Sequence, residues 1–135
     1  MNRTALIGAA LTLLGLGTVA DAAPTCSTKM LEGIWAATTF SSGDGAADVD
    51  ICAMQLNRKG QIMAWSCFDA TTAKPIKSSQ KTTGRFQVTK ACEVTGTVKQ
   101  GRKAEAVTGT LDPAKGILPL KPAGDDAPFV FYQQW

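Results

Sequence analysis

The chain has 135 residues, a formal net charge of +3 at neutral pH, four cysteines and no histidine. Its length suits one small domain with a single core and excludes two such domains. The absence of histidine excludes catalysis by an imidazole.

The N-terminal residues have the pattern of a secretory signal. Arg3 precedes an apolar run over Ala5–Ala20, and residues 20–22 form an A-x-A cleavage motif. The run is shorter than the ~20 residues that span a bilayer. We therefore expect a signal peptide over residues 1–22, a single mature domain over residues 23–135 with no membrane span, and a periplasmic or secreted location.

The stretch over residues 49–68 predicts a β-hairpin. Its two apolar runs are separated by a turn at Lys59-Gly60. A hairpin turning there places Cys52 opposite Cys67 on neighbouring strands, on the face that points to the core. The same register sets two further pairs on that face, Met54 with Trp65 and Leu56 with Met63.

The cysteines predict two disulfides, because exported proteins meet oxidising conditions. The hairpin register pairs Cys52 with Cys67 and leaves Cys26 to pair with Cys92. A metal site is the competing interpretation. It is disfavoured because the chain has no histidine and no C-x-x-C pair. We expect no metal and no cofactor.

Beyond Leu31 the sequence consists of short β segments separated by turn residues. The segment Asp69–Thr83 fits no strand pattern and is predicted to be a loop, or a loop with a short helix. The pattern gives about eight strands in a meander: Ile34–Phe40, Val49–Leu56, Gln61–Phe68, Arg85–Thr89, Glu93–Lys99, Ala104–Leu111, Gly116–Leu120 and Pro128–Gln133.

Three strands carry a threonine followed by glycine, at Gly84, Gly96 and Gly109. Glycine weakens a strand unless the chain bends sharply or another backbone comes close. The repeated glycines therefore predict a coiled sheet that closes on itself, with the last strand pairing with the first. We expect an all-β fold, an antiparallel meander closing into a roughly eight-stranded barrel, with a β-sandwich as the alternative.

The start of the mature domain resembles two groups of small barrels. Gly33-Ile34-Trp35 is a G-x-W, and the Cys52 hairpin follows it after a glycine-rich loop. This opening is similar to that of lipocalins and avidins, which implies that Trp35 plugs one end of a barrel. Trp65 of the hairpin is predicted to join Trp35 in the core.

The G-x-W followed by the segment Cys52–Leu56 and by Cys67 also resembles periplasmic inhibitors of secreted metalloproteases. Those inhibitors are small eight-stranded barrels with one disulfide, and they insert an extended N-terminal segment into the protease. The resemblance implies protease inhibition through a free N-terminal arm. A Cys26–Cys92 disulfide would tether that arm.

The chain contains none of the motifs that indicate catalysis. It has no G-x-S-x-G, no P-loop and no G-x-G-x-x-G. The nearest nucleophile and base, Lys77-Ser78-Ser79, lie in the predicted loop. The aspartates over residues 44–50 lack the spacing of a calcium-binding loop. We therefore expect a protein that is not an enzyme.

Charge is distributed unevenly along the chain. Residues 73–121 contain ten cations and three carboxylates, whereas residues 23–72 contain three cations and five carboxylates. A basic half can bind an acidic protein or an anionic envelope polymer. It can also protect sheet edges against aggregation. The candidate residues for an anionic partner are Lys74, Lys77, Lys81 and Arg85.

Nucleic acid is a poor candidate partner, because Phe86 is the single aromatic residue in the basic half. The sequence instead predicts an exported, non-enzymatic binding module of the cell envelope that recognises a protein or an anionic component. The alternatives are protease inhibition and a carrier of a small apolar ligand. A carrier requires an interior pocket of ~300 Å³ or more.

Overall fold

The structure is a computed structural model that describes residues 22–43, 46–77, 81–125 and 128–135. Within these ranges, side chains are described for all residues except those in the stretch 40–48. Residues 1–21, which hold most of the predicted signal peptide, lie outside the described residues. A short 3₁₀ helix, Thr28–Leu31, precedes the strands. The strands in the described ranges are β1 Gly33–Gly43, β2 Ala46–Leu56, β3 Ile62–Asp69, β4 Pro75–Ile76, β5 Thr82–Val88, β6 Glu93–Gln100, β7 Lys103–Thr110, β8 Ile117–Pro122 and β9 Phe129–Gln134.

These strands form one antiparallel sheet in the order β4-β3-β2-β1-β9-β8-β7-β6-β5. The last strand pairs with the first, through Ile34 with Gln134 and Ala36 with Tyr132, as predicted. The sheet is continuous and curls into a half-barrel, so the all-β meander is confirmed and the sandwich alternative is not adopted. In the part of the chain that the structure describes, no helix is long and apolar enough to cross a bilayer.

The two ends of the curled sheet meet at one end of the half-barrel. The backbone N–H of Phe86 on β5 donates to the carbonyl of Gly60 just before β3, at 2.8 Å. An isolated bridge joins Gln61 to Arg85. We call the end where these edges meet the closed end. Away from it, β3 and β4 lie on one side of an interval and β5 lies on the other, and we call this interval the seam.

The predicted hairpin register is confirmed for Cys52 with Cys67 and for Met54 with Trp65. The prediction that Leu56 faces Met63 is wrong. Leu56 pairs with Ile62, because the register shifts at a bulge next to Gln55. A bulge sets two residues of one strand against one of the other. Met63 is therefore turned out of the core and is 60% exposed.

The turn before β3 is fixed by Asn57. Its side-chain oxygen accepts hydrogen bonds from the backbone N–H of Lys59 and of Gln61, each at 3.0 Å. Gly60 completes the turn at φ 72°, a left-handed conformation that favours glycine. This local chemistry is the reason that the hairpin turns at Lys59-Gly60.

The closed end is capped by the 3₁₀ helix. The Cys26–Cys92 disulfide fastens the segment before that helix to the turn between β5 and β6. Leu31 at the end of the helix and Trp35 on β1 are both fully buried. The indole N–H of Trp35 donates to the carbonyl of Leu31 at 2.8 Å. Both predicted disulfides, this one and Cys52–Cys67, are present.

The segment Asp69–Thr83 differs from the prediction of a loop. It contains the two-residue strand β4, which pairs with Cys67 and Phe68 of β3. Two residues are too few for any periodic pattern to reveal. Residues 78–80 of the segment lie outside the described residues.

The inward-facing strand glycines lie where neighbouring backbones come close, and Gly109 on β7 is the tightest case. A Cβ at Gly109 would overlap the carbonyl oxygen of Pro119 on β8. We expect Gly109→Ala to lower the free energy of unfolding by about 1–3 kcal/mol, because strands β7 and β8 must separate. The measurement is urea unfolding followed by circular dichroism.

The matched control is Gly124→Ala in the turn before β9. A Cβ there would lie 3.7 Å from the nearest atom, Oε1 of Glu105, which is an ordinary contact. Its free energy of unfolding should be unchanged or rise by up to about 1 kcal/mol. Equal losses in the two variants would contradict close packing of β7 on β8.

Candidate functional site

The concave face of the half-barrel holds an open cavity of about 320 Å³. Its walls are formed by inward-facing residues of strands from β1 to β9, because alternate residues of each strand point to the same face. Most of the lining side chains are apolar. The apolar lining residues are Cys52, Cys67, Trp65, Val98, Val107, Pro122, Phe129 and Phe131.

Four polar side chains complete the lining: Thr39, Thr82, Gln100 and Glu105. The side-chain amide of Gln100 donates to the hydroxyl of Thr82 at 3.4 Å and so links β6 to β5. Glu105 is half-buried and is the charged residue among the described lining side chains. The cavity therefore offers a large apolar surface with a few hydrogen-bonding groups, which is the usual composition of a small-molecule site.

The two tryptophans predicted to plug the barrel occupy different places. Trp35 is fully buried at the closed end. Trp65 is half-buried in the cavity wall, where its ring meets Phe131 edge-on with centroids 6.0 Å apart. Such aromatic pairs add stability beyond the area that they bury. Trp35 thus belongs to the core beneath the cavity, and Trp65 to the cavity itself.

A groove of about 790 Å³ runs along the seam. It is lined on one side by β3 and β4, including Met63 and Ile76, and on the other by Lys81 at the start of β5. The groove and the cavity share four lining residues, so the cavity opens sideways into the seam. These shared residues are Trp65, Cys67, Thr82 and Gln100.

Both walls of the groove are strand edges. In the described ranges, Ala64–Ser66 of β3 pair with β2 alone, since β4 pairs with Cys67 and Phe68, and Met63 lies at the bulge between the β2 partners. Thr82–Gly84 of β5 pair with β6 alone.

Three of the four predicted cations, Lys74, Lys77 and Lys81, lie beside the seam, whereas Arg85 lies at the closed end. Lys74 and Lys77 flank β4 and are exposed. Lys81 lines the groove, and Arg85 lies on the outer face of β5. Among the described residues, none of the four forms an ion pair, whereas Arg58 pairs with Glu32 elsewhere.

Asp69 lies at the end of β3, opposite Asp50 of β2. Backbone N–H groups of Thr72 and Thr71 donate to Asp69 at 3.0 and 2.8 Å. These hydrogen bonds hold the pKa of Asp69 below its ordinary value. Asp69 is therefore ionised at neutral pH, and it fixes the turn that leads to Lys74.

The cavity residues on β5, β6 and β7 were not predicted from the sequence. Thr82, Val98, Glu105 and Val107 alternate with outward-facing residues along their strands, which is the signal that assigns them to the inner face. Their positions on the inner face do not reveal whether side chains fill the interior, because the interior volume depends on the curvature of the sheet.

The fold and the site define a small, disulfide-stapled half-barrel with an apolar cavity that opens at the seam. Comparison of the chain with protein-family models, with curated proteins and with solved structures finds no match.

Proposed function

We propose that this protein is an exported, non-enzymatic binding module of the cell envelope, and that it holds an apolar group in the half-barrel cavity. The single observation that carries the proposal is the cavity, whose volume of about 320 Å³ lies in the range of ligand pockets. Its apolar lining favours an aliphatic or aromatic group over a sugar or a nucleotide.

Several other features support the proposal. The pattern of residues 1–22 favours export, and two disulfides are typical of proteins outside the cytoplasm. The G-x-W at Gly33–Trp35 resembles the opening of lipocalins and avidins, which hold ligands inside their barrels.

Recognition of a protein or of an anionic envelope component is the second candidate. The observation that favours it is the set of three lysines beside the seam, Lys74, Lys77 and Lys81. Protease inhibition through a free N-terminal arm has less support. Cys26 is bonded to Cys92, and its backbone N–H also donates to the carbonyl of Lys90 at 3.2 Å.

The proposal predicts that filling the cavity abolishes binding of an apolar probe. Val98 is half-buried and lines the cavity, so the ring in Val98→Phe would occupy part of that space. We expect the uncharged fluorophore N-phenylnaphthylamine to bind the wild-type protein and to lose at least about tenfold in affinity for Val98→Phe. Fluorescence titration measures both constants.

Thr97→Phe is the matched control, because Thr97 is the exposed neighbour on the opposite face of β6. It adds the same ring outside the half-barrel and should leave probe affinity unchanged. Failure of the wild-type protein to bind the probe, or equal affinities for the two variants, would contradict a ligand site in the cavity.

A further inference from the structure

We infer that the cavity of the half-barrel selects apolar molecules that carry an ammonium group, whose charge pairs with the carboxylate of Glu105. This inference rests on the proposed function, because it concerns the same cavity. It deepens that function by naming the ligand class, an apolar body with one cationic amine, and by naming Glu105 as the residue that determines specificity.

The first argument is the position of the Glu105 side chain. Glu105 lies opposite Val98 of β6 and two residues before Val107 on β7, and both valines line the cavity. Its Oε1 atom lies 3.7 Å from the point where a Cβ on Gly124 would lie, in the turn between β8 and β9. From that turn β9 runs to Trp35 at the closed end. The carboxylate is therefore at the opposite end of the half-barrel, beside the apolar lining.

The second argument is that this carboxylate has no cation to pair with. Within the described ranges the ion pairs lie elsewhere, at Glu32 and at Asp112. Lys103, two residues before Glu105 on the same strand, is exposed and forms no ion pair with it. Among the described residues no lysine or arginine lines the cavity. A carboxylate beside apolar side chains loses part of its hydration, and a paired cation offsets that cost. An ammonium group of the ligand would supply the cation.

The third argument is the charge next to the cavity lining. Asp50 and Asp69 are paired across β2 and β3, two residues beyond the Cys52–Cys67 pair that lines the cavity. Because alternate residues of a strand share a face, both carboxylates lie on the concave side of the sheet. They attract a cation and repel an anion. Lys81 opposes this effect, but it lines the adjoining groove and not the cavity. The cavity therefore favours an ammonium over a carboxylate.

The test compares three ligands that share one alkyl chain: octylamine, octanol and octanoate. Calorimetry on the oxidised, full mature chain at neutral pH measures each affinity. Octylamine is protonated at this pH and should bind at least about threefold more tightly than octanol, because its ammonium pairs with a half-buried carboxylate. Octanoate should bind less tightly than octanol, because its charge has the same sign as that of Glu105.

Variants of the protein assign the preference to Glu105. Glu105→Gln should bind octylamine no more tightly than octanol. Glu105→Lys should reverse the order, so that octanoate binds more tightly than octylamine, and a reversed order cannot arise from loss of the fold. Glu93→Gln is the matched control, because Glu93 is an exposed carboxylate on β6 outside the cavity. It should keep the preference of the wild-type protein for octylamine.

The outcomes separate this inference from the proposed function. If N-phenylnaphthylamine binds in the cavity but octylamine binds no more tightly than octanol, the inference is overturned and the cavity site stands. The same holds if Glu105→Gln keeps the preference for octylamine, or if octanoate binds the wild-type protein as tightly as octylamine does. If neither the fluorophore nor any of the three ligands binds, both the inference and the proposed function fail.

Discussion

Trp35→Ala should lower the free energy of unfolding by about 3–5 kcal/mol. The side chain is fully buried, and its removal leaves a cavity between the 3₁₀ helix and the sheet. It also removes the indole donor from the buried carbonyl of Leu31, which then lacks that partner. Small domains are stable by about 5–15 kcal/mol in total, so the loss is a large fraction. Urea unfolding with both disulfides intact measures it.

Trp135→Ala provides the matched control, because Trp135 at the end of β9 is 98% exposed. Its effect should stay within about 0.5 kcal/mol. Trp35→Phe should lose less than Trp35→Ala, since it keeps a smaller aromatic ring while it loses the indole N–H. A loss below about 1 kcal/mol for Trp35→Ala would mean that this residue does not anchor the closed end.

Removal of the Cys26–Cys92 disulfide should destabilise the protein more than removal of the Cys52–Cys67 disulfide. The first joins residues separated by 66 positions and the second residues separated by 15. Loop-closure entropy then gives about 4 kcal/mol for the first and about 3 kcal/mol for the second. Urea unfolding of the Cys26→Ala/Cys92→Ala and Cys52→Ala/Cys67→Ala proteins compares them.

The two variants also differ in what they release. Loss of Cys26–Cys92 frees the segment that holds Leu31 against the closed end, whereas Cys52 and Cys67 lie on strands that the β2–β3 ladder already pairs. Hydrogen exchange should therefore increase near the 3₁₀ helix in the first variant alone. The reverse order of stabilities would contradict this account of the closed end.

The hairpin and the Cys52–Cys67 disulfide could be predicted because they depend on local chemistry, and Cys26–Cys92 followed because those were the two cysteines left. A turn at Lys59-Gly60 between two apolar runs sets the register, and the register pairs Cys52 with Cys67. The predicted register failed at the β-bulge, where β3 has one residue more than β2. The bulge beside Gln55 moved Leu56 from Met63 to Ile62, and no residue in that stretch signals the shift.

The seam and the cavity could not be predicted in the same way. Asp69–Thr83 has no alternating pattern, so the sequence did not reveal β4 or the incomplete pairing beside it. The cavity exists because the sheet curls without closing, and curvature is a property of the assembled strands. The four cations were identified from composition, but the placement of Lys74, Lys77 and Lys81 beside the seam required the structure.

The most direct test of the central claim, an apolar site inside the half-barrel, is heteronuclear NMR during titration with N-phenylnaphthylamine. We predict shifts concentrated in the methyl groups of Val98 and Val107 and in the ring of Phe131, all of which line the cavity. Shifts confined to Ile34 and Tyr132 on the outer face, which are 48% and 52% exposed, would contradict the claim. So would a spectrum that does not change.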